Sequence, residues 1–425
     1  MQAQCRLGLG ASTIKGVITF CIAQRSQLPI GGEPMSAVLD SVTPHVKRTD
    51  FGDNEAAMEQ YRTERTEQAL SLPNRGPIEL GPDGKLAKHI VEAFREYGFY
   101  VFKGVVSADE LDDLERDVTD ILDRAPIAPD AKVDRHGNPA IAHDCEGRNF
   151  RLVKPLSDPL GGSKANFGRH QIKMDEPEVP EGAPDWVVQV LLGPLQHSDA
   201  HLRYYGHPGL LTIVAGLNGD DFTPFNETLW IKHARLGGSV SWHQDGWTHW
   251  DSPELDEGTH GFNTMLQLYG CDAKNGLWVV PGSHKNGKLD IRTMTDELGS
   301  DRLPDAVPLI CDPGDIAVTN RQAVHGSFAN TSDRPRVSIT MGFHRRRSVL
   351  NVRSGGVHNP VSLYDDAYIR HRSRLIMYGI DARRQKYPEE LSYCYQPLSD
   401  EADKYKWNDD ARKDIHDYNL NDIGI

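Results

Sequence analysis

The stretch Ser241-Trp242-His243-Gln244-Asp245-Gly246 is the point from which the chain is best read. It follows a β-rich run, Thr228 to His233, through a Gly237-Gly238 turn, which places it at a strand end where residues two apart leave the same face. His243 and Asp245 can therefore approach one metal ion from the same side. Two imidazoles and one carboxylate on one triangular face make the ligand set of non-haem Fe(II) oxygenases, and three positions stay open for co-substrate and O2. A third ligand must come from elsewhere in the chain. Taken alone, the pair also fits an ordinary polar loop. The spacing recurs at His197-Ser198-Asp199, but that copy lies beside a helical pattern, where side chains two apart diverge, and reads as a polar surface pair.

Downstream, Phe262 to Tyr269, Leu277 to Val280, Ile316 to Thr319 and Val337 to Phe343 are short apolar segments punctuated by Pro-Gly-Ser and Pro-Gly-Asp turns. Many short strands with turn signals predict a mostly β protein with flanking helices, of sandwich or jelly-roll type. Asp312-Pro313-Gly314-Asp315 turns into one of these strands, and Val324-His325-Gly326-Ser327 comes next. Enough chain separates Asp245 from His325 for several strands to bring this histidine back beside the pair. Arg336 opens the following strand and can reach the same cavity. A buried guanidinium matches the distal carboxylate of 2-oxoglutarate through two parallel hydrogen bonds, which lysine cannot offer. Arg334 is its rival, but stands before Pro335 in a turn-like stretch.

Upstream, Leu86, Ile90, Phe94 and Tyr97 share one helical face, and Gly98 stops the helix. Phe99 to Phe102 reads as a strand, and Ser107-Ala108-Asp109-Glu110 is a capping box opening a helix that buries Leu111, Leu114, Val118 and Ile121. The core domain is expected over 76–350, with a lid-like insert at about 124–208 whose clearest helix is Trp186 to Leu192. Residues 1–75 read as an N-terminal extension, partly disordered, in which Glu55 to Leu70 is a surface helix with little apolar face. Residues 351–425 read as a C-terminal extension packing on or near the core, with an acidic end that wraps the surface or stays mobile. The first 34 residues hold Arg6, Lys15 and Arg25 and no acid before Glu33. They are either an organelle-targeting segment or an extension preceding Met35.

Composition excludes whole classes of function. The chain has 425 residues, 38% hydrophobic, and a net charge of −14, which disfavours a surface built to neutralise nucleic acid or anionic lipid. Its six cysteines contain no Cys-x-x-Cys, so neither a zinc knuckle nor a disulfide framework is indicated and a reducing, cytoplasmic setting is expected. No run approaches the roughly 20 apolar residues of a membrane span. A small-molecule partner is expected, with no nucleic acid and no membrane.

Trp242 to Asp245, Asn275 to His284, and Gly314-Asp315 through His325, Ser327, Asn330, Ser332 and Arg336 together resemble the phytanoyl-CoA dioxygenase family of Fe(II)/2-oxoglutarate-dependent oxygenases. The resemblance runs from about Leu86 to Arg347. It implies a double-stranded β-helix (jelly roll, cupin-like) core, Fe(II), 2-oxoglutarate as co-substrate, and O2. It implies His243, Asp245 and His325 as metal ligands, Arg336 on the far carboxylate of 2-oxoglutarate, and Ser327 as a hydrogen-bond donor to it; Lys232 is either a second positive contact or a solvated strand lysine. The activity implied is hydroxylation, or a related oxidation, of an aliphatic C–H of a small metabolite, with 2-oxoglutarate decarboxylated to succinate and CO2. Asp245 stands where halogenating relatives carry a small residue, which argues against halogenation. Two other readings keep the fold: a metal- or ligand-binding protein without turnover, and a metal-dependent hydrolase, which would leave Arg336 and Ser327 without a role. His284 reads as architectural. Trp242, Trp247, His249 and Trp250 are either pocket or packing, Arg345 to Arg347 either an anion clamp or a solvated cluster, and Phe343 and His344 stay undecided.

Overall fold

The computed structural model describes residues 45–246, 250, 261–355 and 359–424, so the N-terminal stretch with its two readings, and Trp247 and His249, lie outside them. The polar segment expected to be a bare surface helix forms α1 (Glu55–Ser71) and does more than cover the surface. Met58 and Tyr61 are buried; the Tyr61 ring stacks on Trp278 at 4.8 Å and its hydroxyl donates to the Leu303 carbonyl at 2.7 Å. A few large apolar side chains on one face anchor a helix whose average composition conceals them.

After a short strand β1 (Arg75–Gly76), helix α2 (Lys88–Tyr97) ends at Gly98, whose φ of 78° is the left-handed conformation that glycine adopts without strain. A Cβ there would lie 2.5 Å from the His284 ring, which sits against the turn and bonds the Arg95 carbonyl at 2.9 Å. His284 is thus architectural. Strand β2 (Phe99–Phe102) follows, then α3 (Ala108–Asp123), whose Ser107 and Glu110 form both halves of the capping box.

The expected helix over Trp186 to Leu192 is instead a strand. β3 (Phe150–Val153) and β4 (Val187–Leu192) pair with each other, and β4 pairs with β5 (Phe222–Lys232). Val187, Val188 and Val190 are β-branched, and burial on both faces erases the alternation that would have announced a strand. The lid-like insert therefore supplies an edge of the main sheet as well as loops.

The remaining strands are β6 (Val240–His243), β7 (Phe262–Gln267), β8 (Trp278–Val279), β9 (Val307–Pro308), β10 (Ile316–Asn320), β11 (His325–Ser327) and β12 (Arg336–Arg345). They make an eight-stranded sheet, β1-β2-β10-β7-β12-β5-β4-β3, and a four-stranded one, β6-β11-β8-β9. Only the β1–β2 pairing among these is parallel. Register sorts the large sheet's faces: Leu191, Leu229, Ile339 and Leu266 lie in one row and join the main apolar core, whereas Trp230 and Ser338 point the other way, toward the small sheet.

Helices α4 (Asp199–Tyr205), α5 (Pro208–Asn218) and α6 (Asp366–Lys386) cover the apolar face. The C-terminal region is therefore part of the fold, because α6 buries Leu375, Ile376 and Ile380 in the main core. Its arginines answer the acidic end of the chain: Arg374 holds Asp414 at 2.7 Å and Arg372 holds Asp422 at 2.8 Å. Where α6 crosses the end of α4, Gly206 meets Gly379, and a Cβ on Gly206 would come within 2.2 Å of the Gly379 backbone. Gly206→Ala or Gly379→Ala is expected to lower stability by roughly 1–3 kcal/mol, because the helices must part to admit a methyl group. Urea unfolding checks this, and an unchanged midpoint would count against so tight a crossing. Among the described residues no helix is long and apolar enough to cross a membrane.

Candidate metal centre and its cavity

Between the two sheets lies a cavity of about 380 Å³, within the usual range for small-molecule sites. His243 closes β6 and His325 opens β11, and these two residues face each other directly across the antiparallel pair, ring centroids 4.1 Å apart. Asp245 follows in the turn, its backbone N–H fixed to the Arg321 carbonyl at 2.8 Å. One ligand atom from each of His243, Asp245 and His325 lies within 4.8 Å of the others. A second such group, Asp144, Cys145 and His416, lies at the surface, partly or fully exposed.

Hydrogen bonding sets the tautomers. His243 Nδ1 donates to the Ser241 carbonyl at 2.8 Å and His325 Nδ1 to the Ala323 carbonyl at 2.9 Å, so both Nε2 lone pairs face Asp245, at 3.7 and 3.8 Å. Burial holds both rings below the ordinary histidine range, which keeps them neutral and able to ligate. Burial alone would raise the Asp245 carboxyl; the Arg169 guanidinium, and then that of Arg321, more than offset it and hold the group well below the usual carboxylate range. Two neutral imidazoles and an ionised carboxylate, converging from one side, fit a first-row divalent metal.

Arg336 and Ser327 line the same cavity. The Nε and Nη1 of Arg336 and the Oγ of Ser327 are buried without a hydrogen-bond partner among the described residues. Burial lowers the Arg336 guanidinium to about 10, so it still carries its charge at neutral pH. Lys232 requires correction. It pairs with Arg336 across β5 and β12, yet its ammonium donates to the Phe328 carbonyl and stays out of the cavity wall. Burial, and then Arg336 beside it, push this ammonium well below the usual lysine range, which removes the reason to expect a second positive contact.

Several other candidates find packing roles. Arg334 pairs with Asp272 away from the cavity. Trp242 is buried, its Nε1 donating to the Asp301 carbonyl at 2.7 Å. Phe343 packs among Tyr205, Phe222 and Phe262, and His344 stacks on Phe225 at 4.0 Å. Arg346 pairs with Asp366 and Asp221, and none of Arg345 to Arg347 lines the cavity. Trp250 is half-buried and also outside the wall.

Sequence reading missed the residues that surround Asp245. Arg169 reaches its Oδ1 at 2.8 Å, Arg321 lies 3.8 Å from Oδ2, and the Asn263 amide donates to Oδ2 at 3.3 Å. The His170 ring lies tilted beside His243, centroids 4.3 Å apart, and is pushed down to about 3 by burial and then by Arg169. Only the adjacency Arg169-His170 inside an otherwise loop-like stretch hinted at them. Asn419, Leu420 and Asp422 to Gly424, from the acidic tail, also line the cavity.

The arrangement is a cluster of two histidines and one carboxylate between the β-sheets that could hold one metal ion. Residues 196–338 match the family described as Phytanoyl-CoA dioxygenase (PhyH). The chain is 33% identical over 120 residues to "Phytanoyl-CoA dioxygenase 1" of Oryza sativa subsp. japonica, a match spanning 26% of this chain and 41% of that protein. It is 24% identical over 267 residues to "Phytanoyl-CoA dioxygenase domain-containing protein 1" of Bos taurus, covering 60% and 88% respectively. A solved structure of EctD from S. alaskensis with 2-oxoglutarate and 5-hydroxyectoine overlaps 64% of this chain and 82% of its own, at 18% identity and a TM-score of 0.43.

Proposed function

We propose that this chain is an Fe(II)- and 2-oxoglutarate-dependent oxygenase, built on a double-stranded β-helix core, that oxidises an aliphatic C–H of a small molecule. The observation that carries the reading is Arg336. A buried guanidinium without a partner costs several kcal/mol, and it shares the cavity of a metal-competent triad. The co-substrate's distal carboxylate satisfies it, and Ser327 Oγ adds a donor on the same wall.

His243, Asp245 and His325 would hold the metal, which when bound supplies O2 activation and an electrophilic site for the 2-oxo acid. The chain's own residues do the rest. The carbonyls of Ser241 and Ala323 fix both imidazoles by holding Nδ1–H. Arg336 orients the co-substrate from its far end. Phe225, Trp230 and Met265 present apolar surface to the substrate and exclude water. In balance, the C–H becomes C–OH, 2-oxoglutarate becomes succinate and CO2, and the four electrons that reduce O2 come in pairs from the two substrates.

Anaerobic titration of the Fe(II)-loaded protein with 2-oxoglutarate tests this through the visible charge-transfer band. Arg336→Ala, and Arg336→Lys to a lesser extent, should raise the 2-oxoglutarate concentration needed by about tenfold or more, since charged hydrogen bonds and a planar fork are lost. Iron loading without a band at saturating 2-oxoglutarate would reject the co-substrate and favour a binding protein or a hydrolase.

A further inference from the structure

The cavity has a second cationic pole. Arg151 stands on β3, and the pairings Arg151 to Val190, Val190 to Trp230 and Trp230 to Ser338 place it in one row with the wall that faces the small sheet. Three strand spacings of about 4.8 Å separate its backbone from that of Ser338, roughly 14 Å along the sheet and away from Arg336. Arg169 reaches over from the insert to Asp245 and is near enough to Arg151 for the two charges to repel.

The acids of this wall are already answered. Glu227 and Asp422 bind Arg372 at 2.6 and 2.8 Å, and Asp245 binds Arg169 at 2.8 Å. Arg148, also on the wall, pairs with Asp130 at 3.1 Å. Arg151 lines the cavity, half-buried, with no hydrogen bond or ion pair among the described residues. Filling the site as proposed does not change this. A divalent metal cancels the dianionic co-substrate, and the single charge of Asp245 answers only one of Arg169, Arg321 and Arg336, which leaves the Arg151 end positive.

We propose that the substrate is a small anion whose carboxylate or phosphate is held by Arg151 with Arg169 alongside, while its apolar portion lies against Trp230 and Phe225 and turns a C–H toward the histidine-aspartate triad. This rests on the oxygenase reading and names the substrate class for the same site. Planar guanidinium forks suit both headgroups. The cavity must also hold the co-substrate, so the substrate is metabolite-sized.

Calorimetric titration of the full-length protein loaded with Mn(II) and 2-oxoglutarate tests the proposal without turnover, using hexanoate, hexyl phosphate and hexylammonium as probes. At least one anion should bind and hexylammonium should not; whichever anion binds more tightly identifies the headgroup. Arg151→Gln should weaken that anion by about tenfold, Arg151→Lys should recover part of the loss, and Arg334→Gln, away from the cavity, should change nothing. Far-UV dichroism and the unfolding midpoint of each variant show that it is folded. The proposal is overturned if the anions bind Arg151→Gln as they bind wild type, if neither binds wild type, or if hexylammonium binds equally well. It is also overturned if Arg151→Gln weakens 2-oxoglutarate as Arg336→Ala does, which would assign Arg151 to the co-substrate. Failure of 2-oxoglutarate to bind wild type sinks the oxygenase reading separately, and titrating the metal-free protein with the same anions then decides whether Arg151 holds them.

Discussion

His243→Ala and His325→Ala should each abolish stoichiometric Fe(II) binding and reduce turnover more than about a hundredfold, beyond the loss typical of a residue that only orients a ligand. Each imidazole contributes one of three donor atoms clustered within 4.8 Å, and an incomplete set leaves no facial geometry for the metal to adopt. Both variants should fold. Each histidine makes a single backbone hydrogen bond through Nδ1, and truncation opens space beside a cavity that already exists. Asp245→Ala differs, because it also strands the Arg169 guanidinium that the carboxylate now holds at 2.8 Å; lower stability should accompany its loss of metal. Equilibrium dialysis with Fe(II), together with thermal unfolding, separates the cases. Full iron occupancy in His325→Ala would remove that residue from the ligand set.

The largest expected effect on stability lies behind the cavity. Arg372 is buried with Glu227, also buried, on one side and Asp422 on the other, and Tyr205 donates its hydroxyl to Glu227. Arg372→Met should destabilise the protein by about 3–5 kcal/mol, because two carboxylates would then be buried without a cation. Replacing all three charges with apolar groups should cost much less. The sign of the pH dependence follows. Burial already raises the Asp422 carboxyl against the pull of Arg372, and without that cation it would rise further. Stability of the variant should therefore be greatest below the unfolded carboxylate pKa of about 4 and fall as pH rises through the raised value. Urea unfolding of Arg372→Met at several pH values checks both magnitude and sign; a variant with the wild-type midpoint and pH profile would mean that the triad contributes little.

The same triad ties the acidic tail to β5. Asp422 also accepts from the Asn226 N–H at 2.5 Å, and around it Asn419, Leu420, Ile423 and Gly424 reach the cavity wall. The tail expected to wrap the surface or stay mobile thus forms part of the chamber, held by charge pairing and by buried apolar side chains such as Leu398, Ile415 and Ile423. No local pattern in the tail announces this, since its partners lie on α6 and β5.

Where a side chain's role depends on its immediate neighbours, amino-acid order was sufficient. The Ser107–Glu110 capping box, the Gly98 helix stop and the strand at Ile316 are all local, fixed by hydrogen-bonding capacity, backbone freedom and the two-residue period of a strand, whereas Asp245 lies past the end of its strand and comes beside His243 through the turn that follows. The placement of His325 opposite His243 was foreseeable as a need for a third ligand. What stayed hidden depends on pairing between distant segments. Val187–Leu192 is a strand because β3 and β5 flank it, and α1 is anchored because Trp278 waits for Tyr61. Lys232 turns to the Phe328 carbonyl because burial beside Arg336 disfavours a second charge, and Arg151 joins the cavity because three strand pairings carry it there. Covalent neighbours set which conformations and donors are on offer; burial, charge and sheet register, which exist only once the chain has folded, select among them.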